Sequence, residues 1–383
     1  MKFKLPDILV QAVASASDLN RFIRLPGALY GSRQGFVAPL DLERRDALRR
    51  DKNPYFRHGD GQYWLAFRGD RLVGRISAQI DQLYLERHGR EVGHFGLIDA
   101  IDDIDVTRAL TDTASGWLAV RGMRRMVGPF SLSSNEECGL LIEGFEAPAM
   151  LKMGYAPPYL GRHLDSLGFA KAKDLVAYDY EVPPEAPPHK QRFVAKLKDL
   201  VGVTIRRLDM SRYQAELQTI IGIFNDAWSE NWGFVPFTEA EMRHAANGMR
   251  PLIQPNLVWI GEIEGEAACM AVCLPNLYEA IAGLDGKLLP FGWAKLLWRL
   301  KVSGLKTGRV PLLGLRRHHH HTPFGTAVMY GVLEHLRRGM WNAGLKRVEL
   351  SWILEDNMPM RRVIEDIGGK PYKTYRIYRK DIA

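Results

Sequence analysis

Cysteine is scarce: Cys138, Cys269 and Cys273 are the only three in 383 residues. Three thiols cannot build a disulfide framework, and the Cys269 to Cys273 spacing reads as strand packing rather than a zinc pair, which suggests a reducing compartment. No apolar run approaches the ~18 residues that a membrane-crossing helix requires. Near the start, Pro6, Asp7 and Gln11 interrupt the apolar stretch that a secretory leader would need. There is no Gly-x-x-x-x-Gly-Lys-Ser/Thr loop, so nucleotide hydrolysis of the P-loop type is excluded. The basic residues are dispersed and accompanied by no helix-turn-helix or aromatic RNA-binding pattern, so no nucleic-acid partner is expected.

What is present is an ordinary globular composition, 46% hydrophobic and 25% charged, with a net charge of +8. At ~150 residues per domain this length suggests two or three domains. Clustered prolines in the segment Pro183 to His189 sustain neither helix nor central strand and read as a linker, dividing the chain into residues 1–182 and 190–383. Each half runs strand, helix, hairpin, strand, long helix, strand, which predicts an α/β fold with a mixed sheet. The turn Arg68-Gly69-Asp70 parallels Glu264-Gly265-Glu266. The helix ends at Gly122 and Gly344 match too, each followed by basic residues entering a strand, so the halves read as a tandem duplication.

Thr322-Pro-Phe-Gly325-Thr-Ala327 follows a strand and opens a helix, and Asn357 opens another helix that ends at Gly368-Gly369. With the element order, these segments resemble the acyl-CoA N-acyltransferase fold of the GNAT superfamily. Asn225-Asp-Ala-Trp-Ser, Asn231-Trp-Gly-Phe-Val-Pro, Glu349-Leu-Ser-Trp-Ile-Leu-Glu-Asp-Asn, Tyr372-Lys-Thr-Tyr-Arg-Ile-Tyr, Asn53-Pro-Tyr-Phe and Gly93-His-Phe-Gly extend the likeness over nearly the whole chain, to bacterial tandem GNAT proteins of the ceramide synthase group. The resemblance implies two GNAT-like domains, acyl-CoA as co-substrate with no permanently bound cofactor, and transfer of a fatty acyl group to the amine of a long-chain (sphingoid) base. An N-acetyltransferase of small-molecule or protein amines, and an acyl-CoA-binding protein without catalysis, are the alternatives. It further implies Leu315, Arg316, Arg317, Thr322, Gly325, Thr326, Ala327 and Asn357 as the acyl-CoA site. Thr322 stands where the family has Arg or Gln, and Ile364 where it often has a catalytic Tyr.

The residues themselves carry part of this reading. Gly325 lets backbone approach an anion, and free amides at a helix start favour a pyrophosphate. Amine acylation needs a proton acceptor, and Glu355 and Glu349 are the leading candidates. His321, the last of four consecutive histidines, and Tyr375 are candidates for proton transfer; the histidine run has no carboxylate at ligand spacing, so no metal site is expected. Glu349 and Ser351 share one face of their strand, where a structural ion pair with the neighbouring strand is the competing role. Trp228, Trp232 and Phe234 are expected to line an alkyl chain. Phe291 to Lys306 reads as an amphipathic helix with a Trp293, Leu296, Leu297, Leu300 stripe, suited to an anionic membrane surface or to the lip of a lipid-entry groove, with Trp293 expected to contact the substrate. The protein is thus expected to be cytoplasmic and peripheral to the inner membrane. Four acids in Asp99 to Asp105 stand where the first half would need a phosphate loop, so that half is expected not to be catalytic.

Overall fold

The structure, a computed structural model, describes residues 4–5, 7–188 and 202–382. The first half supplies β1 (Lys4–Leu5), β2 (Ile8–Ala12), β3 (Gly59–Arg68), β4 (Arg71–Asp81), β5 (Val92–Ala100), β6 (Arg125–Gly128), β7 (Leu140–Glu143) and β8 (Ala170–Glu181). The second supplies β9 (Val203–Arg207), β10 (Val258–Ile263), β11 (Glu266–Pro275), β12 (Thr307–Leu315), β13 (Arg347–Leu354) and β14 (Lys370–Asp381). Two hairpins, β3–β4 and β10–β11, turn tightly, the second through Glu264 and Gly265, both at positive φ. A parallel pair cannot be joined by a hairpin, so β5 reaches β6 through helix Ile104–Ala119 and β12 reaches β13 through helix Pro323–Asn342. These elements repeat in the order that the sequence predicts.

The order across the sheet departs from two self-contained halves. It runs β1-β2-β3-β4-β5-β6-β14-β8-β13-β12-β11-β10-β9, with β7 on β14. Each half therefore lends its closing strand to the other: β8 lies against β13, and β14 against β6. β8 and β14 also pair with each other, and Arg376 grips Asp174 at 2.8 and 3.0 Å across that seam. Of the proline-rich segment, residues 183–188 are described, and the carbonyls of Pro183 and Pro184 both accept from Arg337 at 2.8 Å. His189 lies outside the described residues.

Alternation along β11 decides what covers each face of the second half. Cys269, Ala271 and Cys273 pack with Val328, Val332 and Leu336 of helix Pro323–Asn342. Met270, Val272 and Leu274 pack with Leu217, Ile220 and Phe224 of helix Tyr213–Ala227, and helix Glu239–Met249 joins that layer through Ala246.

A charged clasp also joins the halves. His58 Nδ1 lies 3.1 Å from Asp81 Oδ1, and its Nε2 lies 3.2 Å from Glu241 Oε1 of the second half. Burial lowers the imidazole pKa, but hydrogen bonds and charge from Asp81 and Glu241 outweigh it and lift the value to about 9. A raised folded-state pKa gives stability that is complete below the unfolded value of ~6.5 and is lost as pH rises through about 9. The melting temperature of the wild type should therefore fall more between pH 6 and pH 9.5 than that of His58→Gln; equal falls would show that the clasp carries no charge-dependent stability.

Candidate active site

β12 and β13 pair in parallel from Thr307 and Arg347 only as far as Val310 and Leu350. The next residue of β12 is Pro311, which has no N–H to continue the ladder. Beyond it the strands part. Residues 311–315 and 350–354 line a cavity of about 750 Å³, with their inner backbone edges facing the gap. An extended amide-bearing ligand can pair with such an edge as an added strand, and a reacting carbonyl can be polarised by its N–H groups.

One end of the cavity is built around Gly325. Thr322 caps helix Pro323–Asn342, its Oγ1 accepting from the Gly325 amide at 2.9 Å and donating to the His319 carbonyl at 2.9 Å. A Cβ on Gly325 would lie 2.0 Å from that carbonyl oxygen, so only glycine fits. Gly325, Thr326, His320, His321, Leu315 and Asn357 line the cavity. His320 Nε2 sits 2.9 Å from the Leu315 carbonyl, and Asn357 caps helix Met358–Asp366 by accepting from the Met360 amide. Ala327 is buried in the helix packing and does not line the cavity. Arg316 and Arg317, expected at the phosphates, are also absent from the wall. Arg316 donates to the Ala267 carbonyl, and Arg317 is engaged by Asp226, Ser229 and Glu230 of the neighbouring helix and loop.

Of the four proton-transfer candidates, His321 alone lines the cavity. Glu355 turns away to Lys171 and accepts from the Asp174 amide. Tyr375 is fully buried behind the sheet, where burial pushes its phenol well up from its usual pKa. Glu349 is fully buried and is held on all sides. Lys373 of β14 lies 3.1 Å from Oε2, Tyr372 donates to the same oxygen, Ser351 donates to Oε1, and Arg309 stands 3.8 Å away. The cluster's cavity-facing members are Arg309 and Ser351, joined at 2.8 Å. Sequence reasoning did not single out Arg309 or Lys373. The signal available was the facing pair Arg309 and Glu349 on adjacent strands, which fits the structural ion pair better than an exposed base.

Trp228, Trp232 and Phe234 line the cavity. Trp228 stacks on Phe224 with ring centres 4.8 Å apart, and Gly314 leaves room for its indole against β12. The first half positions this loop: Ser134 donates to the Gly233 carbonyl, Asn135 to the Val235 carbonyl, and His88 Nε2 lies 2.8 Å from the Phe234 carbonyl. Trp293 lies elsewhere, and the expectation that it contacts substrate is corrected. The stripe divides: Leu296 and Leu300 pack inward, while Trp293 stays half exposed with its indole N–H on the Pro290 carbonyl.

No family model matches the chain. A protein named bacterial ceramide synthase, from Caulobacter vibrioides, is 48% identical over 98% of this chain and 97% of its own length. The chain belongs to the bacterial ceramide synthase family. Protein YghO of Escherichia coli is 42% identical over 98% of this chain and 95% of its own length. A solved tandem GNAT protein from the clavulanic acid biosynthesis pathway is 12% identical, covers 98% of this chain and 99% of its own, and superposes with a TM-score of 0.58, which gives the tandem GNAT fold. This ceramide synthase family member is thus an N-acyltransferase.

The first half of this family member repeats the strands without the gap. Past His94 and Val127 the β5–β6 pair stays closed, with the Phe130 amide bonded to the Phe95 carbonyl at 2.8 Å. At the start of helix Ile104–Ala119 the Asp103 carboxylate accepts from the Asp105 amide, so an anion already occupies the place of a phosphate. Two outcomes follow. Glu349→Gln should lower unfolding stability by about 3–5 kcal/mol, the scale for breaking a buried pair, whereas Glu355→Gln at a partly exposed pair should cost under about 1 kcal/mol in chemical denaturation; equal losses would contradict the structural role. Gly325→Ala should weaken acyl-CoA binding by about tenfold or more in calorimetry, and unchanged affinity would remove this loop from the site.

Proposed function

We propose that the protein transfers the fatty acyl group of a long-chain acyl-CoA to the primary amine of a long-chain (sphingoid) base, forming the amide and releasing CoA. The observation that carries this reading is a single cavity that joins a helix start suited to an anion to a long apolar interior, through the gap where β12 and β13 part. Gly325, Thr326, Thr322 and His321 serve the pyrophosphate end, and Asn357 with the β12 and β13 edges orients the pantetheine arm and thioester. Trp228, Trp232 and Phe234 face the alkyl chain of a substrate. The amine loses a proton, attacks the thioester carbonyl, and the departing thiolate takes a proton up. In this reading residues 190–383 form the working domain. Residues 1–182 shape and brace it, which suits the closed strands and the acid-capped helix of that half.

Attachment to an anionic membrane belongs to the same proposal. Six of the ten large apolar side chains that stand exposed among the described residues fall between Leu289 and Val302, Phe291 and Leu289 being nearly four-fifths exposed. Exposed Lys287, Lys295, Lys301 and Lys306 surround them. Arg299 instead bonds the Ala280 and Ala282 carbonyls and anchors the segment. Among the described residues no helix is long and apolar enough to cross a membrane. Apolar wedges flanked by lysines suit an anionic lipid surface.

Two measurements test these points. Purified protein given palmitoyl-CoA and sphinganine should release CoA and form the N-acyl product; release only with acetyl-CoA and water-soluble amines would favour the N-acetyltransferase alternative, and none at all the non-catalytic one. In flotation, vesicles containing phosphatidylglycerol should carry the protein, and Phe291→Ser with Trp298→Ser should release it; flotation unaffected by the pair would contradict the surface.

A further inference from the structure

The cavity does not end at the strand gap. On the face of the sheet opposite helix Pro323–Asn342 it continues beneath helices Tyr213–Ala227 and Glu239–Met249. Tyr213, Leu217, Ile220 and Phe224 form its roof, at the three- and four-residue spacing that puts side chains on one helical face, and all four are buried. Met242, Ala246 and Met249 form a second wall with the same spacing, and Val272 and Leu274 of β11 form the floor. Leu208, Ile253 and Val258 line the far end, with the Tyr213 hydroxyl bonded to the Ala246 carbonyl at 3.1 Å. Tyr213 to Phe224 is eleven helical steps, about 17 Å at 1.5 Å each. One leaflet of a bilayer's hydrocarbon core, half of ~30 Å, is of that size.

The geometry points to this chamber as the site of the donor's fatty acyl tail, with its far end setting the longest acyl group accepted. The inference rests on the proposed acyl-CoA reaction and adds where the tail goes. CoA held at Gly325 and Asn357 lies on the helix Pro323–Asn342 face. Its thioester reaches the gap past Val310 and Leu350, and whatever extends beyond the carbonyl emerges on the other face, at the mouth of the chamber. The lining of this part is apolar, and the Tyr213 hydroxyl within it is already satisfied by the Ala246 carbonyl. A hydrocarbon tail with no polar terminus meets those conditions. The amine then approaches from the more open side, where Glu230 is exposed and Asn231 and Trp232 are partly so.

The test is a chain-length profile of the full-length protein, measured as kcat/KM for a series of saturated acyl-CoAs with sphinganine, and for a series of amine chain lengths with one acyl-CoA. Met249→Trp, which narrows the far end, should cut kcat/KM for the longest accepted donor by about tenfold and leave shorter donors within about twofold, a difference of more than ~1 kcal/mol in discrimination. Ile253→Ala, which deepens the same end, should raise acceptance of donors longer than the wild-type optimum. The amine profile should stay unchanged in both. An acyl profile unmoved by both variants, a uniform loss across all donors in both, or a shift in the amine profile instead would overturn the assignment. Absence of any CoA release by the wild type would count against the proposed reaction itself.

Discussion

The buried carboxylate of Glu349 is the point on which the rest of the structure depends. Around it meet Arg309 of β12, Ser351 of its own strand, and Tyr372 and Lys373 of β14, while Arg309 and Lys373 reach on to the Leu151 and Pro148 carbonyls of the first half. Burial lowers the Lys373 pKa, with Glu349 opposing that, and the same holds for Arg309. Removing charges from water is costly, so such a cluster is weak evidence of stability as such. Its contribution is to register. A one-residue slip of β14 would turn Lys373 to the opposite face and leave Glu349 unpaired in the core. Because β14 sits beside β8, and β8 beside β13, fixing that register also fixes where β13 parts from β12.

That parting is what distinguishes the two halves structurally. Both have a parallel strand pair joined by a long helix, but only one opens. In the second half Pro311 ends the ladder, Gly314 admits the Trp228 ring and Gly325 brings the helix start against backbone. In the first, Gly96 and Gly128 do the reverse, letting Phe130 and Phe95 backbone close together, and Asp103 caps the helix with its own carboxylate. The closed half is put to use as a brace, through Ser134, Asn135 and His88 on the aromatic loop.

Much of the local structure was legible in the sequence because it rests on local signals. Periodicity located most of the strands and long helices, Gly265 and Gly344 marked turns and helix ends, and Gly325 and Asn357 marked the two helix starts that meet at the cavity. The exchange of β8 and β14 was not legible, since strand partnership between residues some 200 apart leaves no local trace. Misplaced site residues failed for related reasons. Arg316 and Arg317 carry charge beside the loop, but Asp226 and Glu230 from a distant helix and loop claim Arg317. Glu349 reads as a base candidate within its own strand, and its partners Tyr372 and Lys373 come from β14, outside that element. The helix at Trp293 is shorter than the stripe implies, Gly292–Trp298 followed by a π turn through Ser303, and of the stripe Leu296 and Leu300 pack inward.

The central claim is that this fold, with its gap between β12 and β13, makes an N-acylated long-chain base in the cell. Mass spectrometry of lipid extracts from cells with and without the gene tests that most directly. The account predicts an N-acylated long-chain base that is present with the gene, disappears on its deletion and returns when the gene is restored. A lipid profile that does not change on deletion, in cells that make a long-chain base, would contradict it.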